Sequence, residues 1–463
     1  MSTNSTTLPN AGFVSSAPDA GENSNMKWVV CALLFAATTI NYMDRSVLSL
    51  IEPMLHNLPF MGWDPSVDTA HQVVFNNNYK HIVQFFQLAY GIGLLVAGRV
   101  IDRVGTKIGY ALAIGVWALS SMGHALVFSV AGFCIARFML GIGESGNFPA
   151  AIKATTEWFP SRQRALATGL FNSGSNVSFF VAPALVAFVT AKFGWQAAFL
   201  TTGSMGLLWL VVWLLFPYNR LRGASTQTQA NLESDFASQT EHGGNIPLSA
   251  LLRRPGLYAF AISKGLTDPI WWFYLFYLPK FLHETYNLDL QHSKWEIVTV
   301  YMVSSVGSIF GGGLSGWLMS SGRSVNAGRK LAMLLCAVLV FPIIFVPHLG
   351  TLFPDNAWPA TLVIALAAAA HQGWSANLFA TPTDIFPSTA ISSVVGIGGA
   401  VGSLGGVIFT GIVGSYFSLH PFLIFAMAAS AYMVSLLIFQ FLVPRLGASH
   451  PTNPPTNPDL KTA

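Results

Sequence analysis

The chain has 463 residues, 52% of them hydrophobic and 9% charged, with a net charge of +4. A soluble protein carries about 25% charged residues. With apolar runs of about 20 residues recurring from end to end, this composition excludes a soluble globular domain and a nucleic-acid binder. It specifies an all-α polytopic protein held in a lipid bilayer.

Residues 1–26 are rich in Ser, Thr and Asn and lack an apolar core, so they read as a disordered tail. Twelve spans are predicted near residues 28–48, 82–101, 108–129, 132–156, 164–189, 195–216, 257–281, 296–319, 329–347, 358–381, 390–416 and 420–443. With the N-terminus inside, sixteen of the 23 Lys and Arg fall in cytoplasmic segments. Lys80, Lys192, Lys280 and Lys294 fall outside, and Arg45, Arg137 and Lys264 lie within spans. The positive-inside rule then places both termini in the cytoplasm. The loop at 49–81, with Trp63, Pro65 and Asn76 to Asn78, lies outside and reads as a connector or as a cap over the outer mouth. Residues 218–255 form one long internal linker, and residues 446–463 a second tail. A six-helix bundle at 27–217 and another at 256–445 remain. Cys31, Cys134 and Cys336 all sit in apolar runs and are read as packing residues, neither bridged nor bound to metal.

The halves repeat. Glu157, Pro160 and Gly169 recur as Asp384, Pro387 and Gly396, each 227 positions on. Two six-helix halves related this way place a substrate site between them near the bilayer midplane. The same offset lays Glu144 onto His371, so matching helices carry one titratable group at one depth.

The stretch from Arg137 to Pro160, RFMLGIGESGNFPAAIKATTEWFP, holds Arg137 and Glu144 in an apolar setting. An ionisable residue at membrane depth costs at least about 2.5–3.5 kcal/mol, so each one needs a reason. Seven residues is about two turns, which puts the two on one face roughly 10 Å apart. A cation above a carboxylate on an inward face suits a proton-coupled anion site.

Between spans 2 and 3 runs Gly98-Arg99-Val100-Ile101-Asp102-Arg103-Val104-Gly105-Thr106-Lys107-Ile108-Gly109. Its glycines permit a tight turn and close helix contact, and Asp102 can bridge a neighbouring helix end. This GxxxDRxGxKxG pattern resembles the hallmark loop of the major facilitator superfamily. The resemblance implies that Gly98, Asp102, Arg103, Gly105 and Lys107 govern the conformational switch without touching substrate. The matching loop, Gly316 to Lys330, keeps only Gly322, Arg323, Arg329 and Lys330. Asn41-Tyr42-Met43-Asp44-Arg45 and the run from Arg137 to Glu144 resemble the anion:cation symporter branch. GNFPAAIKATTEWFP, ALATGLFNSGSN, LTDPIWWFYLFYLPKFL and HQGWSANLF resemble its hexuronate transporters, over residues 27–445. Proton-driven uptake of glucuronate or galacturonate across a bacterial inner membrane is what this likeness implies. Where some of the branch have an Asn in span 11, Gly398 to Gly402 here offer no side-chain donor.

Rise per residue places Asp44 and Arg45 at a level similar to Arg137, with Glu144 deeper. Asp44 can therefore pair with Arg137, while Arg45 points about 100° away and is free for a carboxylate. Arg137 reads either as a ligand contact or as the partner of Asp44. Glu144 is the expected proton carrier, with Asp44 and His371 as further candidates. Lys264 and Asp268, four apart, read as a self-neutralising pair, or Lys264 as a substrate contact once Asp268 is protonated or displaced. Gln372, Trp374 and Asn377 in span 10 supply hydroxyl partners and a ring platform. Tyr42, Gln87, Tyr90, Asn147, Asn172 and Asn176 supply further contacts from the first half. Trp271 and Trp272 read as packing or interface residues.

The set Arg45, Arg137, Lys264, Asp44, Glu144 and Asp268 sums to zero when ionised. Protonating Glu144 makes it +1, and a hexuronate monoanion restores zero, which a low-dielectric site prefers. No Walker loop, HExxH or clustered Cys/His is present, so no enzyme, metal or cofactor is expected, and nothing demands an oligomer. The alternatives are a carrier of another organic anion, an aldonate or aromatic acid, or an organophosphate/phosphate exchanger.

Overall fold

The computed structural model describes residues 23–55, 58–62, 68–221, 246–286, 294–416 and 420–446. The two tails, most of the linker, Trp63 and Pro65 lie outside these, as do the side chains of Lys280 and Lys294. The described residues are built from helices: α1 Asn23–Leu50, α2 Asp68–Val104, α3 Thr106–Gly123, α4 Val130–Glu144, α5 Asn147–Trp158, α6 Ser161–Phe193 and α7 Trp195–Leu215. The second half follows as α8 Pro255–Tyr286, α9 Lys294–Ser320, α10 Val325–Val340, α11 Trp358–Ile385, α12 Ile391–Tyr416 and α13 Pro421–Leu442.

Local chemistry sets the ends. Ser129 and Ser324 cap α4 and α10 by accepting from the N–H groups of Gly132 and Ala327. Gly105 (φ 86°) turns the chain between α2 and α3, and Gly194 (φ 81°) does so between α6 and α7, in a region closed to most residues.

Among the described residues, nine helices are long and apolar enough to cross a membrane on length and composition alone. The three other crossings are α4 with α5, α8, and α11, which carry Arg137 and Glu144, Lys264 and Asp268, and His371 and Gln372. The break between α4 and α5 leaves each of them too short, at 15 and 12 residues, and the charged and amide groups of α8 and α11 lower their apolarity. Large apolar side chains left exposed, such as Phe310, Leu215 and Phe441, face outward, as lipid-facing residues do.

Two expectations need correction. The span at 132–156 is not continuous: α4 stops at Glu144 and α5 starts at Asn147. Pro149 has no N–H to donate to Ser145, and Gly146 bonds back only three residues, to Gly143. The segment at 49–81 is largely helical, because α2 starts at Asp68 and includes Asn76 to Asn78. Polar residues there extend a helix beyond the apolar stretch.

Packing within each half is tight and aromatic. Tyr110, Trp117, Trp209 and Trp213 interlock at ring distances of 5.2–6.4 Å in the first half. Phe273, Phe425 and Phe281 do the same in the second. Between the halves, α2 lies along α12 and α6 lies along α9.

These two seams are drawn by glycines. A Cβ on Gly98 would strike the carbonyl of Ser392, and one on Gly396 would strike that of Leu94. On the other seam, Gly169 meets Ser308 and Gly312 meets Ala165 in the same way. The seams are copies: 392−165 and 396−169 both equal 227, while 308−94 and 312−98 both equal 214. Backbone faces backbone at both, the approach that small residues permit.

The same end of the molecule, here the linker face, holds the polar ties. Asp102 accepts from the backbone N–H groups of Ser392 (3.2 Å) and Ser393 (2.7 Å) at the start of α12. Lys153 donates to it at 3.0 Å. The start of a helix carries free N–H groups and a partial positive charge, so a carboxylate suits it. Arg329 donates to Asp384 (2.9 Å) and to the carbonyl of Ser161 (2.6 Å), and Arg164 donates to the carbonyl of Thr383 (2.8 Å). The halves are thus closed on the linker face.

Candidate functional site

Above that closure, between the halves, lies a cavity of about 570 Å³, within the range of small-ligand pockets. Helical spacing brings its walls together. Arg45, Ser46 and Ser49 of α1 and Val83, Gln87 and Tyr90 of α2 repeat at three to four residues, one face of a helix. Lys264, Asp268 and Trp271 of α8 do the same, as do Gln372, Ser375 and Phe379 of α11 and Val395, Gly399 and Ser403 of α12.

On the first-half wall, Arg45 is held on four sides. Its guanidinium lies 4.7 Å from the ring centres of both Tyr42 and Tyr90 and 5.3 Å from that of Phe86. Its Nε donates to Glu144 Oε2 at 3.0 Å, and Nη2 lies 2.9 Å from the same oxygen. Glu144 is fully buried behind it, with Oε1 unbonded. Arg45 is therefore engaged by Glu144 in this state.

Arg137 differs. It is buried and lines the cavity, and its Nε and Nη2 have no hydrogen-bond partner among the described residues. The expected pairing of Arg137 with Asp44 does not form. Asp44 accepts instead from the Ser121 hydroxyl at 2.6 Å, next to Thr202. One residue along α1 turns a side chain by about 100°, so Arg45 faces the cavity while Asp44 faces α3 and α7.

On the opposite wall, Lys264 Nζ lies 2.6 Å from Asp268 Oδ2 and 3.9 Å from the centre of the Phe379 ring. His371 Nδ1 is 2.6 Å from the Tyr432 hydroxyl, and its ring stacks on Trp271 at 5.3 Å and 9°. At the floor the walls touch: Asn172 donates to Gln372 at 2.7 Å, and Phe148 stacks on Phe379 at 5.2 Å.

Ten of the residues singled out in the sequence as charged or polar site candidates line this cavity: Tyr42, Arg45, Gln87, Tyr90, Arg137, Asn172, Lys264, Asp268, His371 and Gln372. Asn147, Asn176, Trp374 and Asn377 do not. Asn147 accepts from Tyr110 (2.6 Å) and donates toward Thr38 (3.3 Å) inside the first half. Asn176 is buried within α6. Trp374 is buried edge-on to Tyr432, and Asn377 donates to the carbonyls of Gly311 and Gly373. Both lie more than about 100° round α11 from its cavity face.

Conversely, Trp271 and Trp272, read as packing residues, line the cavity, as do Tyr79, Phe148 and Phe179. Their spacing of seven and eight from Lys264 was the available signal. In the loop between α2 and α3 and its flanks, Asp102 forms the tie described above, and Lys107 donates to the Phe216 carbonyl at 2.9 Å. Arg103 is exposed.

Twelve crossings in two copied halves around a charged central cavity define a polytopic carrier, not an enzyme. The profile of the Major Facilitator Superfamily matches residues 34–410, and the chain belongs to that family. It is 27% identical over 399 residues to the hexuronate transporter of Escherichia coli (strain K12), covering 84% of this chain and 87% of that one. It is 30% identical over 322 residues to the galacturonate transporter of Dickeya chrysanthemi, covering 68% of this chain and 89% of that one. In fold it is similar to the proton:xylose symporter XylE bound to 6-bromo-6-deoxy-D-glucose (TM-score 0.73, 15% identity, 92% of this chain and 97% of that one).

Proposed function

We propose that this protein imports sugar acids, hexuronates such as glucuronate or galacturonate, together with protons by alternating access. The observation that carries the reading is Arg137: a buried guanidinium, unbonded at two nitrogens, facing a central cavity. Among the described residues it has no anion beside it, only the Phe86 ring at 5.7 Å; a buried cation so placed is costly, and a planar carboxylate is its bidentate match. Relatives named for hexuronate and galacturonate support the substrate class.

In the proposed cycle the substrate carboxylate meets Arg137. A proton on Glu144 dissolves its pair with Arg45, which then turns to the ligand as well. The six charged groups Arg45, Arg137, Lys264, Asp44, Glu144 and Asp268 sum to zero when ionised. One proton and one monoanion together keep that sum, so loading with both is the favoured state. Gln87, Asn172 and Gln372 provide hydroxyl partners, and Trp271 and Trp272 face the sugar ring in this reading. The positive-inside bias makes the linker face cytoplasmic, with both termini inside and the closure described above on the inner side of a bacterial inner membrane.

The test is uptake of labelled uronate into proteoliposomes, with and without an imposed proton gradient. Glu144→Gln is expected to lose gradient-driven accumulation and to keep exchange of uronate down its own gradient. Accumulation by Glu144→Gln equal to that of the parent would refute Glu144 as the carrier. Uptake that ignores the proton gradient but needs internal phosphate would favour the organophosphate exchanger.

A further inference from the structure

Three cations face the cavity, and they are not equivalent. Arg45 is engaged by Glu144 and Lys264 by Asp268, while Arg137 has no ion-pair partner among the described residues. The Lys264–Asp268 pair is also wedged in place. Lys264 rests on the Phe379 ring at 3.9 Å. Behind Asp268 stands Gly402, where a Cβ would run into the carboxylate, and at Gly405 a Cβ would run into the carbonyl of Gly265. The backbone of α12 therefore closes the space on that side, and the remaining exposure of Asp268, 22% of its side chain, is toward the cavity it lines.

We propose that Asp268 is a specificity-determining residue: a built-in carboxylate that occupies, on Lys264, the place a second substrate carboxylate would take, so that the carrier accepts monoanionic sugar acids and refuses dianionic ones. This rests on the reading of Arg137 as the receptor for the first carboxylate. A six-carbon sugar acid held at Arg137 by one end presents its other end to the α8 wall. A hydroxyl or ring oxygen there meets a neutral pair, with ammonium donors and a carboxylate acceptor both available. A second carboxylate, or a phosphate dianion, meets Asp268 on a wall whose one cation, Lys264, is already paired, while Arg45 and Arg137 stand on the opposite wall with the first carboxylate. Like charges brought together in a desolvated site discriminate by at least about 100-fold.

The test is equilibrium binding to the purified full-length protein at one pH, read by the fluorescence of the cavity tryptophans. Two monoanions, glucuronate and gluconate, are compared with two dianions, glucarate and galactarate. The parent is expected to prefer the monoanions by about 100-fold or more. Asp268→Asn, which frees Lys264, is expected to shrink that ratio at least tenfold by gaining dianion affinity. Adding Lys264→Gln to Asp268→Asn is expected to restore the preference, because no free cation remains. Parental binding of both classes within about threefold overturns the proposal without needing a variant. So does a ratio that Asp268→Asn leaves unmoved, or one that the double variant fails to restore. If monoanions bind while the ratio ignores Asp268, only this assignment falls; if no sugar acid binds the parent, the proposed function falls as well.

Discussion

Replacing Arg137 by glutamine removes the one guanidinium that faces the cavity without an ion-pair partner among the described residues, while keeping a side chain of similar reach. Two hydrogen bonds between a guanidinium and a carboxylate contribute about 1.5–3 kcal/mol each, so their loss amounts to about 3–6 kcal/mol. At about 1.4 kcal/mol per decade this is a roughly 10²- to 10⁴-fold weaker Kd for uronate. The same change relieves the empty protein of a buried charge without a hydrogen-bond partner at two nitrogens, which is itself destabilising. The melting temperature without ligand is therefore expected to be no lower than the parent's, so weaker binding cannot be put down to misfolding. The decisive assay compares glucuronate with its uncharged amide. The parent is expected to tell them apart strongly, and Arg137→Gln hardly at all. A variant that still prefers the acid by the parental factor would refute the carboxylate role of Arg137.

Two further outcomes follow from the linker face. Arg329→Met leaves Asp384, 2% exposed, without its 2.9 Å partner, and breaking a buried pair costs about 3–5 kcal/mol; thermal unfolding is expected to fall by several degrees, whereas an unchanged transition would mean that Arg164 alone holds Asp384. Gly98→Val puts side-chain atoms against the Ser392 carbonyl and is expected to part α2 from α12, read as faster thiol labelling of a cysteine placed at Ser393; unchanged labelling would show that the seam tolerates bulk.

Much of the architecture was legible because it rests on composition and spacing. Apolar runs gave the crossings, and the 227-residue repeat gave the two halves. Charged residues inside spans pointed to the cavity, since only a cavity or an internal partner makes them tolerable. What the chain could not reveal was which partner each charge takes. Asp44 and Arg45 are neighbours, and their 100° separation was visible, but that Asp44 turns to Ser121 rather than to Arg137 depends on how α3 and α7 pack. The inward face of α11 is hidden for a different reason. Trp374 and Asn377 have suitable chemistry, yet Gln372, Ser375 and Phe379 fix the inward stripe, and helical register alone would have set the other two aside. Trp271 and Trp272 were underrated because aromatic residues in a membrane chain usually pack or anchor.

The two glycine edges have a kinetic meaning. Because Gly98 with Ser392 and Gly312 with Ala165 are the same joint made twice, the two halves meet through one contact repeated on either flank. No side chain on those glycines has to change rotamer for the ribbons to slide apart. The resistance to opening then resides in a few electrostatic latches, Asp102 on one flank and the paired arginines Arg164 and Arg329 on the other. Turnover in such a machine is tuned one latch at a time, while the track it runs on stays untouched.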